Sequence, residues 1–252
     1  MAGWFLVCVG VVAGACIGFL GGLLGIGGGM IAIPAFGLLL GMTQQMAQGT
    51  ALVLVVPTVL TSLRKYNQKE PVDRGLAVAG ALSTVVFTFI GARLALGIDP
   101  TTLRHSFAIY LALIACLCLW QTLRVVPQRT RPRFLFRRPQ AFVLGVLTGI
   151  LGGFFSVGGA ILAVPIMTGI FGLKQTSAQS LALTMVILGA IVGLITYTLA
   201  GQADWLVGGV LAASSLTCVP YGVRMAHRVA ERTLRLAFAA LLFCSVPLLL
   251  VR

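Results

Sequence analysis

Long apolar runs alternate along the chain with short polar or charged gaps. Eight runs approach the roughly 20 residues that a helix needs to cross a bilayer: 4–24, 46–63, 74–97, 103–123, 139–156, 177–200, 204–222 and 234–251. Two shorter runs, 26–41 and 157–172, would reach only about 24 Å as straight helices. The pattern predicts an all-α polytopic membrane protein with about ten membrane segments.

The two shorter runs overlap glycine-rich stretches, residues 21–34 and 152–165. The first stretch has glycine at six of its fourteen positions and ends at Pro34, and the second ends at Pro165. In a helix interior, glycine costs about 1 kcal/mol and proline about 3 kcal/mol. Broken backbone at membrane depth is tolerated where it is buried in protein or lines a cavity. We therefore interpret the stretches as Gly/Pro-broken helices at the centre of the molecule, each forming half of a substrate site.

The second half of the chain repeats the first with an offset of 131 residues. Between residues 18 and 52, fourteen of thirty-five positions are identical to the position 131 residues later, without a gap. The matched polar pairs are Gln44 with Gln175, Gln48 with Gln179, Asp73 with Asp204, Arg93 with Arg224, and Arg104 with Arg235. We predict a tandem duplication, with an N-terminal repeat over 1–124, an Arg-rich linker over 125–138 and a C-terminal repeat over 139–252.

The composition agrees with a membrane protein. Hydrophobic residues make up 59% of the chain and charged residues 9%, whereas a soluble domain carries about a quarter charged residues. The formal net charge of +13 could indicate nucleic acid binding. The basic residues lie in short gaps between apolar runs, however, which is typical of loops on the cytoplasmic side of a membrane. We expect membrane lipid as a partner and no nucleic acid.

The distribution of lysine and arginine favours inverted repeats. If both short runs cross the membrane, each half has five crossings, and 15 of the 18 basic residues fall on one side. If both short runs were re-entrant, the split would be 11 to 7. Because basic residues concentrate in cytoplasmic loops, we predict two inverted repeats, a cytoplasmic linker and both termini in the periplasm.

Several paired motifs resemble the TauE/SafE family of sulfite-exporter-like permeases. They are the Gly28 to Pro34 and Gly159 to Pro165 segments, the Gln44 to Gln48 and Gln175 to Gln179 segments, the helix starts at Asp73 and Asp204, and the Gly91–Leu94 and Leu103–Arg104 segments. The resemblance covers nearly the whole chain. It implies transport of small sulfur-containing anions, such as sulfite or organosulfonates, across the bacterial inner membrane. The second copy has Ser156 in place of Gly25 and Ala160 in place of Gly29, so we expect the half-sites to differ.

The candidate substrate-binding residues follow from the broken helices. A helix that restarts after glycines presents unpaired N–H groups and a partial positive charge, which suit an anion. The predicted set is Gly27, Gly28, Gly29, Pro34, Gln44, Gln48, Thr50, Ser156, Gly158, Gly159, Pro165, Gln175 and Gln179. Two alternatives stay open: close helix packing for the glycines, and helix capping for the glutamines.

Arg93 and Arg224 lie close to helix ends, on opposite sides of the membrane in the inverted arrangement. They could draw anions into two vestibules, one on each side. The alternative is that their side chains extend to the lipid headgroups.

No carboxylate falls in the middle of a predicted span, where proton- or sodium-coupled carriers often have one. We therefore predict export driven by the membrane potential, without a cofactor or a bound metal. The alternatives are an anion channel, or a proton-coupled carrier of another small organic anion. An enzyme is not expected, because no His or acid accompanies a Ser or Cys within the spans. The oligomeric state is left open.

Overall fold

In the computed structural model, residues 2–70, 72–123, 138–157 and 159–250 are described, without the side chains of residues 2–9 and 74. This part of the chain forms ten α-helices and no strands. The helices are α1 (Ala2–Leu24), α2 (Gly29–Leu40), α3 (Gln44–Asn67), α4 (Arg74–Leu96), α5 (Pro100–Leu123), α6 (Arg138–Phe155), α7 (Ala160–Gly169), α8 (Gln175–Leu199), α9 (Trp205–Ala226) and α10 (Glu231–Leu250). Seven of them, α3 to α6 and α8 to α10, are long and apolar enough to cross a membrane. The all-α polytopic fold class is confirmed.

Two of the long helices begin at an aspartate that the repeat matches. The Asp73 carboxylate accepts hydrogen bonds from the Gly75 and Leu76 amides. The matching Asp204 carboxylate accepts hydrogen bonds from the second and third amides of α9. These bonds satisfy donors that have no partner within the helix. The aspartates therefore define where α4 and α9 start.

The glycines, and not the prolines, interrupt the helices. Gly25, Gly27 and Gly28 all adopt positive φ, and Gly28 precedes the first residue of α2 with φ 85°. Pro34 and the matching Pro165 lie inside α2 and α7, six residues into each helix. The short helices are consequently shorter than the predicted runs, over 29–40 instead of 26–41 and over 160–169 instead of 157–172.

Each half packs its first helix against the fourth helix of the other half. Helix α1 packs extensively on α9, and α6 on α4. Glycines spaced four residues apart line both contacts, at Gly14, Gly18 and Gly22 in α1 and at the matching positions 145, 149 and 153 in α6. A Cβ added at Gly18 would overlap the Ser215 backbone. The small residues let the helix backbones approach closely, as in membrane helix dimers.

Helices α3 and α8, which occupy matching positions in the two halves, pack against each other at the centre. Gln48 near the start of α3 accepts a hydrogen bond from the Tyr197 hydroxyl near the end of α8, at 2.7 Å. Ser180 near the start of α8 donates to the side chain of Asn67 at the end of α3, at 2.6 Å. The two helices are therefore antiparallel, which is the arrangement that inverted repeats produce.

The predicted linker lies almost entirely outside the described residues, since only Arg138 of 125–138 belongs to the described part. The repeat boundaries therefore stay a prediction. The packing is consistent with them, because exchanging α1–α5 for α6–α10 reproduces the main helix contacts.

Candidate functional site

The two helix breaks meet inside the molecule. A Cβ added at Gly29, the first residue of α2, would lie 3.6 Å from the Ser156 carbonyl oxygen and 3.8 Å from the Val157 Cα. Ser156 has φ 57°, and the matching Gly25 has φ 66°. The second break thus keeps the left-handed backbone of the first, although a serine has replaced the glycine.

The predicted glycines are closely packed at these breaks. Added Cβ atoms would overlap Val59 at Gly27, lie 2.6 Å from Ile17 at Gly28, and lie 2.5 Å from the Thr148 carbonyl at Gly159. Close packing is therefore one role of these glycines. Gly158 lies outside the described residues.

Side chains from both halves of the chain donate hydrogen bonds to the carbonyl groups at the broken end of α1. The Gln179 amide donates to the Leu24 carbonyl at 2.8 Å, within a fully buried contact. The Tyr66 hydroxyl lies 3.0 Å from the Gly22 carbonyl oxygen and 3.3 Å from that of Leu23. The last carbonyls of a helix have no partner within it, so both side chains stabilise the break.

The broken end of α6 has a matching arrangement. The Tyr197 hydroxyl lies 3.4 Å from the Gly153 carbonyl oxygen and donates to the Gln48 side chain. Tyr197 and Gly153 occupy the positions of Tyr66 and Gly22 in the repeat. Each glutamine therefore reaches the break of the opposite half, Gln48 through Tyr197 and Gln179 directly.

Three buried polar atoms around these breaks have no hydrogen-bond partner within the described part of the chain. They are Nε2 of Gln48, Oγ of Ser156 and Oε1 of Gln179, and all three side chains are 0% exposed. A buried polar group without a partner costs about 1–3 kcal/mol. Groups of this kind in a native fold call for a water, an ion or a ligand.

The remaining predicted residues are divided between other places. The Thr50 hydroxyl accepts a hydrogen bond from the Asp204 amide at 3.0 Å, so it ties α3 to the start of α9. Arg93 and Arg224 are exposed, and each guanidinium lies over an aromatic ring of its own helix, Phe89 at 5.3 Å and Tyr221 at 5.8 Å. These contacts favour positions on the outer surface of the helix bundle.

A first cavity of about 130 Å³ lies at the start of α5 and the end of α10. We call it the first vestibule. Its lining includes Pro34, Gly37, Gln44, Arg104 and Leu249. The predicted residues Pro34 and Gln44 therefore lie together, though away from the breaks.

A second cavity of about 10 Å³ lies at the opposite ends of the same two helices. We call it the second vestibule. Its lining includes Cys118, Pro165, Thr168, Gln175 and Arg235. Each of these residues is 131 positions from a residue of the first vestibule.

Two residue pairs were not assigned to the site from the sequence. Tyr66 and Tyr197 support the breaks, and Arg104 and Arg235 line the vestibules. Both pairs follow the offset of 131 residues, so the repeat itself carried a signal for them. The tyrosines were not recognised as site residues from the sequence because each lies near the end of a long apolar run.

The charged groups otherwise lie at helix ends. All five acids do so: Glu70, Asp73, Asp99, Asp204 and Glu231. Within the described residues, no three His, Cys, Asp or Glu side chains form a group that could hold a metal ion.

Comparison with known proteins gives a consistent result. The sequence model of the family described as "Sulfite exporter TauE/SafE" matches residues 10–247. The chain is 25% identical to the probable membrane transporter protein YunE of Bacillus subtilis, over 78% of this chain and 80% of the relative. It is 28% identical to a probable membrane transporter protein of Xylella fastidiosa, over 87% and 85% of the two chains. A third relative, from Methanocaldococcus jannaschii, is 24% identical over 92% and 91%.

The relatives are described as probable membrane transporter proteins and the family as sulfite exporters, which confirms the prediction of a transporter and not an enzyme. The family match spans both halves of the chain and both helix breaks. This protein is a multi-pass membrane transporter that belongs to the TauE/SafE sulfite exporter family.

Proposed function

We propose that this protein exports small sulfur-containing anions, such as sulfite or an organosulfonate, across the bacterial inner membrane. The observation that carries the proposal is the set of three buried, unpartnered polar atoms where the two breaks meet, on Gln48, Ser156 and Gln179. An amide N–H and a hydroxyl donate hydrogen bonds to an oxyanion. The carbonyl oxygen of Gln179 would accept one from a protonated oxygen or a water.

The starts of α2 and α7 add a positive potential to this region. Both helices begin after a left-handed glycine, Gly28 or Gly159, whose carbonyl accepts the amides three and four residues later. A helix start carries a partial positive charge that favours anions. Because apolar side chains surround the breaks, this charge acts at low dielectric constant and is stronger than in water.

The antiparallel packing of α3 and α8 supports inverted halves, with a site at the level where the breaks meet. Inverted repeats with discontinuous helices are the arrangement in which secondary transporters bind substrate near the membrane midplane. The termini then lie in the periplasm and the linker in the cytoplasm, by the distribution of basic residues.

The position of the five acids supports export driven by the membrane potential. Each lies at or beside a helix end and none in the middle of a span, whereas proton relays place carboxylates within the membrane. An anion leaving a cell that is negative inside gains about 2.3 kcal/mol per charge per 100 mV. That gain does not require a coupling ion.

The test is anion flux into liposomes that contain the purified full chain. Sulfite, thiosulfate, sulfoacetate and acetate are compared under an imposed potassium diffusion potential or an imposed pH gradient. We expect saturable flux of at least one sulfur-containing anion, with a rate that follows the voltage. The Gln48→Leu substitution should lower that flux about tenfold or more, because an amide that contacts the anion is lost. Gln202→Leu, in the α8–α9 loop, is the matched control.

Three outcomes would contradict the proposal. Flux that follows the pH gradient and ignores voltage would indicate proton coupling. Flux that does not saturate would indicate a channel. The absence of flux for all four anions would remove the proposed substrate class.

A further inference from the structure

We propose that Arg104 and Arg235 are the anion-binding residues of two equivalent vestibules, one at each end of the transport path. This inference rests on the proposed function and adds to it two positively charged anion-binding sites, which lie outside the central breaks. Arg93 and Arg224, the arginines singled out from the sequence, do not line either vestibule.

The two vestibules are lined by matching residues of the repeat and lie at opposite ends of α5 and α10. Arg104 and Arg235 are 131 residues apart, as are the glutamines and prolines beside them. Along α5, the first vestibule reaches Arg104 and the second reaches Cys118. The 14 residues between them correspond to about 21 Å of helix. That distance places the vestibules on opposite sides of the helix breaks.

The polar groups of the first vestibule are available to a ligand. Gln44 is only 6% exposed, and its buried Nε2 has no hydrogen-bond partner within the described residues. The same holds for the buried Nε atom of Arg104. A guanidinium group presents several N–H donors in a plane, which match the oxygens of a sulfonate or sulfite better than an ammonium group does.

Arg104 forms no ion pair within the described part of the chain. Within the described part of the chain, no carboxylate oxygen lies within 4.0 Å of Arg104, whereas Arg235 lies 3.8 Å from Glu231. The position that matches Glu231 in the first half is occupied by Pro100, which lines the first vestibule. Asp99 directly precedes Pro100, and its carboxylate accepts a hydrogen bond from the Thr101 amide at 3.0 Å, so it caps the start of α5.

The two vestibules differ in size for reasons visible in the sequence and the packing. Gly37 lines the first, and a Cβ added there would meet open space. Thr168 occupies the matching position in the second, where the Gln121 amide also donates to the Pro165 carbonyl at 3.2 Å. At about 10 Å³ the second vestibule has room for a water at most. The structure thus has one vestibule open and the other closed.

The test measures the potential in the first vestibule without using transport. In the full chain, Gly37→Cys is labelled with an anionic sulfonatoethyl or a cationic trimethylammonioethyl methanethiosulfonate at low salt, and labelling is quantified by peptide mass spectrometry. Adding Arg104→Gln should lower the anionic-to-cationic rate ratio about fivefold, because a nearby positive charge attracts one reagent and repels the other. The ratio cancels any change in thiol reactivity that affects both reagents.

Matched variants separate the vestibule charge from the general surface charge. Arg93→Gln should leave the ratio at position 37 unchanged within about twofold. Gly209→Cys, where an added side chain also meets open space, should react little with either reagent because it lies on an apolar helix surface. Thr101→Cys replaces Gly37→Cys if the latter fails to fold.

The proposal is overturned if neither cysteine in the vestibule reacts, or if Arg104→Gln and Arg93→Gln change the ratio equally. With Arg104 present, millimolar sulfoacetate, a sulfonate that does not react with methanethiosulfonates, should slow labelling at position 37 about threefold or more, and Arg104→Gln should abolish this protection. Protection that survives Arg104→Gln would also overturn the proposal. A ratio that depends on Arg104 in a protein without anion flux would contradict the proposed function and not the charged vestibule.

Discussion

At the scale of single residues, the breaks combine satisfied and unsatisfied polar groups. Tyr66 and Gln179 donate to the last carbonyls of α1, so the interruption of that helix is stabilised by specific side chains. Gln48, Ser156 and Gln179 each retain one buried atom without a partner in the described part of the chain. The hydrogen bonds of Tyr66 and Gln179 explain why the break is stable, and the three unpartnered atoms form the substrate site that we propose.

We predict that Tyr66→Phe lowers the free energy of unfolding by about 1–2 kcal/mol, because the carbonyls of Gly22 and Leu23 lose a buried donor. Tyr221→Phe is the control. The Tyr221 side chain is exposed, and its contact with the Arg224 guanidinium is through the ring, which phenylalanine keeps. Thermal or denaturant unfolding in detergent gives both values. Equal effects of the two substitutions would show that the Tyr66 hydroxyl does not stabilise the break.

A second prediction concerns the left-handed serine. Ser156→Gly should stabilise the fold by about 0.5–1 kcal/mol, because glycine tolerates φ 57° without the strain of a side chain. Ser156→Ala keeps the strain and removes only the hydroxyl, so it should give no such gain.

Both serine substitutions should lower anion flux in liposomes, since both remove the unpartnered Oγ. Full flux with Ser156→Gly would mean that this hydroxyl does not contact the substrate.

At the scale of helices, the pairs α1–α9 and α6–α4 depend on backbone contact at regularly spaced glycines. In α1, Gly14, Gly18 and Gly22 approach the backbone of α9 too closely for any larger residue. The glycines of α6 form the same contact with α4. Because lipid offers no hydrophobic driving force between helices, such close packing is a main source of their association.

We predict that Gly18→Ala lowers the free energy of unfolding by about 1–3 kcal/mol, since the added methyl would overlap Ser215. Gly10→Ala lies two turns earlier on the same helix, where the nearest atom would be 3.9 Å away. It should be neutral or slightly stabilising, because alanine is the better helix former. Comparable losses from both substitutions would contradict the close contact between α1 and α9.

At the scale of the whole molecule, the two halves complete each other. The first helix of one half packs on the fourth helix of the other, and each central glutamine reaches the break of the opposite half. Neither half therefore has all of the proposed binding residues or a complete packing surface by itself. The same reciprocity places one arginine-lined vestibule at each end of α5 and α10.

The inverted arrangement predicts the membrane topology. A fluorescent protein that folds only in the cytoplasm should be bright when inserted in the linker over 125–138 and dark when fused to the C-terminus. The physical reason is the excess of arginine and lysine on one side of the membrane. Equal fluorescence at both positions would rule out inverted halves of five crossings each.

Sequence reasoning alone was sufficient for the helical membrane fold and for the places where the helices break, and it predicts the duplication. These features depend on local properties: the length of apolar runs, the low helix propensity of glycine and the register of matched residues. The boundaries shifted by a few residues where positive-φ glycines delay the start of a helix, as at Gly28.

Which polar residues come together depends on how the helices pack in three dimensions. Gln44 lines a vestibule while Gln48, one helical turn later, reaches the opposite break, and Arg104 faces a cavity while Arg93 lies on the outer surface. Sequence spacing gives the face of a helix on which a residue lies, but the neighbour on that face is set by how the helices pack. In this protein that neighbour comes mostly from the other half, more than 100 residues away along the chain.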